Sequence, residues 1–559
     1  MLKKMFTLRL TAVALALATA GNAWALTPAD GLPDLTLYIP GSQANDPAFG
    51  FLVNNLTVAN AVCEQNALSG TTGATNDDTA TTTHIYFQGG INDNYSAVYC
   101  YTNNTLIPGL ATGTGSNHHT KLLISRRRLG ASGVGLDAVA HGTALTYLSG
   151  SDLAKCTYTA SGSYSSGGAT YQYNYSCPTP TGTYTATAAT SDVTPDAFYN
   201  APDNVAPNTH AILSGQITNV KAIGGHIIGV PVTLGLRNAL QYAEIQAGML
   251  PATCTVADET ASCVPSLTKQ QIASIFSGSI YDWTQFQVTS TQTLLDVVTA
   301  GVTAGVSGLK VPTAGLATGA AVDTTVHICR REPGAGQQVA LLADILQYPC
   351  LGVNAPRIVN NQTAASDVVY ATSLGAVDKC LGDFNDGTNG YFGTANTTLP
   401  STEQPPATTV PHGNQWAISI QSTERNATNS AHYRFIAIDG ALPTGQEAYL
   451  NRYPLVGNYS LSWNTLDSNA VAALNAIASY SSLPATIYSR NGDLSNQKFG
   501  QAGYVALVDN GFAPSLVWTP SNPVTPYSKL DSNGKPSSCT IPVVNQGGIT
   551  WNPTVQLGN

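Results

Sequence analysis

The chain has 559 residues, of which 43% are hydrophobic and only 10% are charged, and its formal net charge is −9. An acidic surface is a poor partner for nucleic acid and for anionic membranes, so the composition disfavours both. The length exceeds that of one ordinary hydrophobic core, and we therefore expect at least two lobes.

The N-terminal 25 residues have the pattern of a secretory signal peptide. The first nine residues carry three basic side chains, residues 10–20 are apolar, and Ala23-Trp24-Ala25 is a small-x-small cleavage site. We expect residues 1–25 to be removed, which changes the net charge from −9 to −12 because three basic and no acidic residues are lost. No cysteine follows the cleavage site, so we expect a periplasmic or secreted protein without a lipid anchor.

The ten cysteines all lie after this segment, and an even number in an exported chain favours disulfide bonds. A metal cluster is the alternative, but the sequence has no CxxC or Cys/His spacing typical of zinc sites. Pairing of neighbouring cysteines predicts the bridges Cys63–Cys100, Cys156–Cys177, Cys254–Cys263, Cys329–Cys350 and, from the remaining two, Cys380–Cys539.

The first predicted elements alternate between strand and helix. Residues 34–39 predict a strand, which leads through a polar glycine loop at 41–47 into a helix at 49–61. A later strand at 121–125 runs through Arg126–Arg128 into a glycine-rich turn and another helix. This order indicates an α/β fold. We interpret the three arginines as a solvated strand end, with the alternative that one of them reaches a cleft.

Residues 150–190 change in composition to a Tyr/Ser/Gly-rich hairpin closed by Cys156–Cys177, which we interpret as a surface insertion. An aromatic sugar-binding face is the alternative. Further on, residues 266–283 predict a helix, with Thr268 and Gln271 as a capping box. Low-complexity composition predicts two further insertions, at about 285–325 and 383–413.

Three loops share the order strand, polar glycine-rich turn, helix. They lie at 41–47, 130–135 and 333–337, and Arg330 and Arg331 directly precede the third. Such turns direct backbone N–H groups at one point, and a helix N-terminus adds partial positive charge. In an open α/β sheet, these loops meet at the carboxyl ends of the strands. The pattern therefore predicts an oxyanion site.

Several motifs in this order resemble the phosphate-type periplasmic substrate-binding proteins of the phosphate ABC transporter family. These motifs are LTKQQIASIFSGSIYDW, RREPGAGQQ, RYPLVGNYSLSW and a late GYVAL. The resemblance implies a divergent member of this type II binding-protein family, with a two-lobed α/β clamshell fold and β-rich, disulfide-closed insertions. The first lobe would contain residues 27–235 and 450–559, and the second lobe residues 236–449.

The resemblance also implies a ligand set, carried over where the motifs match. The family's arginine before the glycine loop matches Arg331, its loop glycine matches Gly336, its Ser-Asp aspartate matches Asp192, and the serine of its second loop matches Ser132. First-loop donors fall near Ser42 and Gln43, without a clear match.

This chain departs from the family after the arginine, because Ala335 and Gln337 stand where the family has serine and threonine. Each lost hydroxyl donor is worth about 1 kcal/mol or more toward a charged acceptor. Gln337 can offer its amide N–H₂ instead. The ligand is therefore phosphate, another oxyanion, or a larger phosphorylated or carboxylated molecule.

Asp192 and Arg330 each have two interpretations. Asp192 can accept a hydrogen bond from a protonated oxyanion, which would favour phosphate or arsenate over sulfate; alternatively, it caps the turn before Pro195. Arg331 is the expected bidentate anion clamp. Arg330, on the other side of the strand, either pairs with a carboxylate across the lobe or lies in solvent.

The sequence as a whole predicts an exported, monomeric, non-enzymatic protein that binds phosphate or a related oxyanion between its lobes, without cofactor or metal. The family resemblance implies an inner-membrane ABC permease as a partner. One alternative is a secreted or surface-associated protein that kept the scaffold and lost transport. The other is a secreted phosphatase or hydrolase, but Ser132 is not in a nucleophile elbow, because Val134 replaces the required glycine.

Overall fold

A computed structural model describes residues 32–42, 62, 84–88, 92–102, 120–166, 169–360, 367–392, 413–425, 432–491, 503–514 and 518–544. The predicted helix at 49–61, the loop from Gln43 onward, Cys63 and most of the predicted insertion at 383–413 lie outside these residues. None of the described helices has both the length and the hydrophobicity needed to cross a bilayer.

Strands and helices alternate through most of the described chain, so the fold is mixed α/β, as predicted. The strands are β1 Leu35–Pro40, β2 His84–Gln88, β3 Asn92–Thr102, β4 Thr120–Arg127, β5 Ala144–Thr146, β6 Thr157–Ser166, β7 Ala169–Cys177, β8 Thr183–Thr185, β9 Ala189–Ser191, β10 Asn219–Thr233, β11 Ser266–Leu267, β12 His327–Arg331, β13 Asp367–Ala371, β14 Ala417–Ser419, β15 Gln421–Ser422, β16 Tyr433–Ile438, β17 Val456–Trp463, β18 Tyr504–Leu507, β19 Val524–Thr525, β20 Tyr527–Ser528 and β21 Val543–Val544. The α-helices are α1 Ala131–His141, α2 Gly150–Leu153, α3 Leu234–Gln246, α4 Lys269–Phe276, α5 Leu294–Thr303, α6 Gly336–Leu341, α7 Leu374–Asp386, α8 Gly445–Tyr449, α9 Ser468–Ser482 and α10 Pro484–Arg490, and α6 continues into a π-helical turn at Leu342–Leu346.

The first large sheet has six strands in the order β1-β4-β3-β2-β7-β6. β1 and β4 pair in parallel, and Leu37, Ile39, Leu122 and Ile124 on these strands are fully buried. Buried branched residues favour strands, because they pack well on a pleated surface. Their apolar faces pack against α9 in one hydrophobic cluster.

The second sheet is built around β10, the longest strand described, which has 15 residues. Its first part, Asn219–Ile227, pairs with β17, and its last part, Val230–Thr233, pairs with β16. One strand therefore belongs to two neighbouring layers. Beyond it, β12 lies between β14 and β13, and both of these pairings are parallel. The division into lobes at 235/236 and 449/450 stays a prediction, but β10 ends and β17 begins close to these boundaries.

The hairpin of β6 and β7 contains the predicted bridge Cys156–Cys177. β7 pairs in parallel with β2, so the hairpin extends the six-stranded sheet rather than standing apart from it. The predicted insertion near 285–325 likewise contributes α5 to the core, since Leu294 and Val298 are fully buried there.

The capping box at Thr268 and Gln271 is confirmed, because the Thr268 hydroxyl accepts from the Gln271 backbone N–H and the Gln271 amide reaches back. The helix does not extend to Trp283, but the glycine stop at 278 that the sequence predicts for it is present. α4 ends at Phe276, and Gly278 follows with φ = 73°, a left-handed conformation that stops a helix. Trp283 lies beyond it in a separate 3₁₀ turn.

The disulfide pattern follows neighbour pairing only in part. The predicted bridges Cys156–Cys177 and Cys254–Cys263 are present, and Cys100 is disulfide-bonded, while its predicted partner Cys63 lies outside the described residues. The predicted bridges Cys329–Cys350 and Cys380–Cys539 are wrong. The structure pairs Cys329 with Cys380 and Cys350 with Cys539.

The side chains around these four cysteines explain the exchange. Cys329 is fully buried in β12, in the cluster formed under α7, and Cys380 is on α7 in the same cluster. Cys350 packs against a different cluster and faces the C-terminal segment instead. Distance along the chain therefore mattered less than the sheet face to which each side chain points.

Candidate functional site

A cavity of about 190 Å³ lies where the three predicted glycine loops meet. It has room for several water-sized groups, since one water takes up about 30 Å³ in the liquid. Five of the six residues predicted as ligands line it, and the sixth, Ser132, lies directly behind. The lining residues are Ser42, Asn94, Arg128, Leu129, Gly130, Ala131, Asp192, Arg331, Gly336, Gln337, Thr372, Ser373 and Leu374.

The first loop follows β1 and is held close to β9. Gly41 has φ = 132°, and a Cβ at this position would clash with the carbonyl oxygen of Thr190. A glycine is needed there for both reasons. The backbone N–H of Ser42 donates to the same Thr190 oxygen at 3.0 Å. The close approach brings the Ser42 hydroxyl to Asp192, where it donates to Oδ1.

The second loop turns into α1 at Gly130, which caps the helix with φ = 88°. The N-terminus of α1 therefore points at the cavity, with Gly130 and Ala131 in its wall. Ser132 accepts a hydrogen bond from the Asp192 backbone N–H at 3.3 Å. Gly133 donates from its backbone to Gly334 at 2.8 Å. This last bond joins the second loop to the third.

The third loop carries Arg331, the last residue of β12. Its side chain is only 5% exposed. Nε donates to the Ala371 carbonyl at 3.1 Å, and Nη1 donates to Gln337 Oε1 at 3.3 Å. Within the described part of the chain, Nη2 has no hydrogen-bond partner. The guanidinium is thus fixed on two sides and keeps one nitrogen for the cavity.

Gly336 and Gln337 complete the third loop. A Cβ on Gly336 would collide with the Ser132 hydroxyl and the Asp192 carboxylate, so a glycine lets the loop approach Asp192. Gln337 uses its oxygen to accept from Arg331. Its amide N–H₂ has no partner among the described residues and lies at the cavity wall. This matches the donor expected in place of a threonine hydroxyl.

Asp192 is buried beside these donors, with 4% of its surface exposed. Burial raises its pKa to about 6, although the Ser42 hydrogen bond and the Arg331 charge partly offset this. Behind it, His226 Nδ1 lies 3.6 Å from Asp192 Oδ1 and is fully buried in β10. Above pH 6, Asp192 is therefore a carboxylate that can only accept hydrogen bonds.

Burial has the opposite effect on the pKa of Arg331, because it disfavours the charged form of a base. Burial lowers its pKa, while the charges of Glu332 and Asp192 act in the opposite direction. Burial also raises the pKa of Glu332 to about 7, although the Arg331 charge opposes that shift. An arginine remains protonated in proteins, so the cavity keeps a fixed positive charge beside an ionisable carboxyl.

The other arginines correct the sequence interpretation. Arg330 does not lie in solvent: it is buried, donates to the Val359 carbonyl at 2.6 Å and to the Tyr370 hydroxyl at 3.0 Å, and lies over the Tyr370 ring. Arg126 and Arg128 are not a solvated strand end either. Arg126 donates to the carbonyls of Ile39 and Ser42, which fixes the first loop.

Arg128 is the arginine of the triplet that reaches the cavity, as the alternative interpretation predicted. It lines the cavity and donates to the Ser96 hydroxyl at 2.9 Å. The sequence could not select it, because Arg128 directly follows β4 and its direction depends on how the chain leaves the strand.

A fourth loop, between β13 and α7, contributes residues that were missed. Thr372 and Ser373 line the cavity. The Ser373 hydroxyl accepts from the Ala376 backbone at 3.1 Å and caps α7, so a second helix of ten or more residues points its N-terminus at the site. The signal was present, since Thr372 and Ser373 directly follow the apolar strand VVYA. Asn94, also missed, has no comparable signal.

No protein-family model matches the chain, and no curated protein is detectably similar to it. Several solved structures are weakly similar to the chain. An ABC-type phosphate transport receptor from Vibrio cholerae has 10% identity over 81% of this chain and 98% of its own, with a TM-score of 0.32. PstS from Borrelia burgdorferi has 9% identity over 82% and 97%, with a TM-score of 0.30. Similarity this low supports no functional conclusion.

Proposed function

We propose that this protein is an exported solute-binding protein that holds phosphate or a closely related oxyanion in the cavity between the glycine loops. The observation that carries the proposal is that Arg331 and Asp192 line the same cavity and influence each other's charge. A fixed cation with one uncommitted nitrogen stands beside a carboxylate that can accept a hydrogen bond. A protonated oxyanion satisfies both groups at once.

Neutral donors surround this pair. The N-termini of α1 and α7 point at the cavity, and their partial positive charge favours an anion there. The Ser373 hydroxyl accepts from Ala376 and so keeps its proton for an anion. The Ser373 hydroxyl on the fourth loop thus stands in for one of the hydroxyl donors missing at 335 and 337, which supports a small oxyanion as the ligand.

The cavity charge also supports a single small anion. Arg128 and Arg331 supply two positive charges at its wall, and Asp192 supplies one negative charge above pH 6. The volume of about 190 Å³ leaves little room for a nucleotide or sugar beside the anion. Ligand sites for drug-sized molecules are usually about 300–1,000 Å³.

Calorimetry on the untagged chain, partly unfolded and refolded in phosphate-free buffer to strip any bound anion, tests the proposal. We expect one equivalent of phosphate to bind, and sulfate to bind far more weakly at about pH 8, where Asp192 is ionised. If phosphate and arsenate produce neither heat nor a rise in the unfolding temperature, the binding proposal is wrong.

A second candidate function is an oxyanion-holding protein without a transporter, outside the cell or on its surface. The bridge between Cys350 and Cys539 favours it, because the bridge ties residues of the two predicted lobes together. A transport protein must release its anion to a permease. The exchange rate of bound phosphate distinguishes the two functions: release on the time scale of seconds or faster fits transport, and much slower release fits retention.

A further inference from the structure

A cluster of two histidines and one aspartate lies at the far end of α1 from the oxyanion cavity. Asp137 and His141 are one turn apart on the helix, and His210 comes from the loop after β9. His141 Nδ1 lies 2.9 Å and His210 Nδ1 lies 3.1 Å from the same oxygen, Asp137 Oδ1. The three potential ligand atoms are all within 4.8 Å of one another.

These distances are close to those of a metal site. Zinc binds histidine nitrogen and carboxylate oxygen at about 2.0–2.2 Å, so neighbouring ligands of a tetrahedral ion are roughly 3.3 Å apart. The two measured separations need to lengthen by only a few tenths of an ångström. The side chain of His210 is 67% exposed, which leaves it free to make that adjustment.

The charges of the cluster favour a cation. The Asp137 side chain is only 3% exposed, and its Oδ1 accepts from both imidazoles and from the His210 backbone N–H at 3.0 Å. When both histidines are neutral, these bonds orient the carboxylate without neutralising it. Burying an uncompensated carboxylate is costly, and a divalent ion would remove that cost.

We propose that Asp137, His141 and His210 bind a divalent transition-metal ion, with Zn²⁺ as the expected occupant. Two imidazoles and one carboxylate are a ligand set that suits zinc. Both histidines are at the surface, so the fourth position would be open to solvent. The site shares no ligand with the oxyanion cavity, and this proposal does not depend on the function proposed above.

Gln216 contacts His141 and provides a second test of the proposed site. Its amide nitrogen lies 3.1 Å from His141 Nε2, while its oxygen accepts from the Leu213 backbone at 2.7 Å. In this arrangement Nε2 accepts, so Nδ1 carries the proton that Asp137 receives. A metal at Nδ1 replaces that proton, and the proton of the neutral ring then resides on Nε2. Gln216 must then turn its amide to offer oxygen.

This requirement predicts that Gln216→Glu strengthens metal binding. A carboxylate at 216 can accept from His141 Nε2 and still accept from Leu213, and ligating histidines commonly donate to a carboxylate in this way. We expect a gain of about tenfold in affinity over the wild type. A merely structural His–Asp cluster would show no such gain.

Zn²⁺ titration by calorimetry on the untagged chain tests the site, with Co²⁺ absorption as a second readout of coordination. We expect one equivalent to bind, and His141→Ala or His210→Ala to weaken it by about tenfold or more. His432→Ala is the matched control, since His432 is also exposed and pairs with an aspartate, Asp386, at 2.6 Å. A second control replaces His118 and His119 by alanine, because these two consecutive histidines are another potential source of zinc ligands.

The titrations distinguish a metal site from a purely structural cluster. Loss of the equivalent in both cluster variants, with retention in both controls, supports the site. No binding by the wild type overturns the proposal, and so does unchanged binding in His141→Ala and His210→Ala. Circular dichroism and the unfolding temperature of the same variants monitor folding independently of any ligand.

Discussion

The disulfide between Cys350 and Cys539 connects segments that are 189 residues apart, one in the predicted second lobe and the other in the predicted first lobe. Residues 529–539, here called the C-terminal clasp, make further bonds on both sides. Lys529 forms a buried ion pair with Asp344 at 2.6 Å, just after the cavity helix α6. Ser537 donates to Asp196 at 2.6 Å on the other side. We expect the clasp to limit how far the two predicted lobes can separate.

Replacing Cys350 and Cys539 together by serine should lower the stability and speed the release of bound anion. Loss of a bridge that closes a long loop costs about 2–4 kcal/mol in typical proteins. The cavity should also open more often, because only the noncovalent bonds of the clasp remain. Urea unfolding and stopped-flow release of phosphate measure the two effects.

The double serine variant at Cys254 and Cys263 is the matched control, because that bridge spans only 9 residues in one predicted lobe. It should lose less stability and release phosphate at the wild-type rate. Equal release rates in all three proteins would show that the clasp does not restrain the cavity.

Arg331→Ala should weaken phosphate binding roughly thirtyfold to thousandfold, equivalent to about 2–4 kcal/mol. The variant removes the charged donor and the positive charge that partly offsets the burial of Asp192. Calorimetry at constant pH measures the loss.

Arg330→Ala is the control, and the structure changes what it should do. Arg330 is buried over Tyr370 and donates to its hydroxyl, so removing it leaves buried polar groups without their donor. We expect lower stability with nearly unchanged affinity. If Arg330→Ala abolished binding and Arg331→Ala did not, the assignment of the anion clamp would be reversed.

The sequence predicted the parts of this site that depend on local geometry. Glycine at 41, 130 and 336 marks places where the backbone turns left-handed or approaches a neighbour closely, and such requirements are visible in a single loop. The six predicted ligand residues are brought together for that reason.

The parts that failed depend on which way side chains point in the assembled sheets. Cys329 pairs with Cys380 because α7 covers that face of β12, and Arg128 reaches the cavity from the point where the chain leaves β4. Neither fact is encoded in spacing along the chain. A shift of one residue in register would exchange the two faces of a strand.

Asp192→Asn should let the protein bind sulfate at about pH 8, where the wild type discriminates against it. The Asp192 carboxylate can only accept hydrogen bonds, and sulfate has no proton to donate. In the wild type, the two negative groups therefore repel each other. An asparagine amide can donate to sulfate instead. Competition of sulfate with phosphate, measured by calorimetry, checks this.

The pKa of Asp192 adds a pH test in the wild type. Sulfate affinity should rise as the pH falls through about 6, because Asp192 then gains a proton that it can donate. The Asn variant should show a flat profile over the same range. A wild type with constant sulfate affinity between about pH 8 and pH 5 would contradict the assignment of Asp192 to the anion.

His327 should make the stability of the fold depend on alkaline pH. It is buried at the start of β12, with Asp323 3.1 Å from Nε2 and Asp367 2.9 Å from Nδ1. Burial alone would lower its pKa, but the two aspartates outweigh burial and raise the pKa to about 9. A raised histidine pKa contributes stability that is complete below the unfolded value of about 6.5 and is lost as the pH rises through 9. The contribution is on the order of 3 kcal/mol.

Urea unfolding at intervals between about pH 6 and pH 10 should therefore show falling stability, and His327→Gln should be less stable at pH 7 with a flatter profile. A wild-type curve that is level across this range would contradict a charged His327 between the two aspartates.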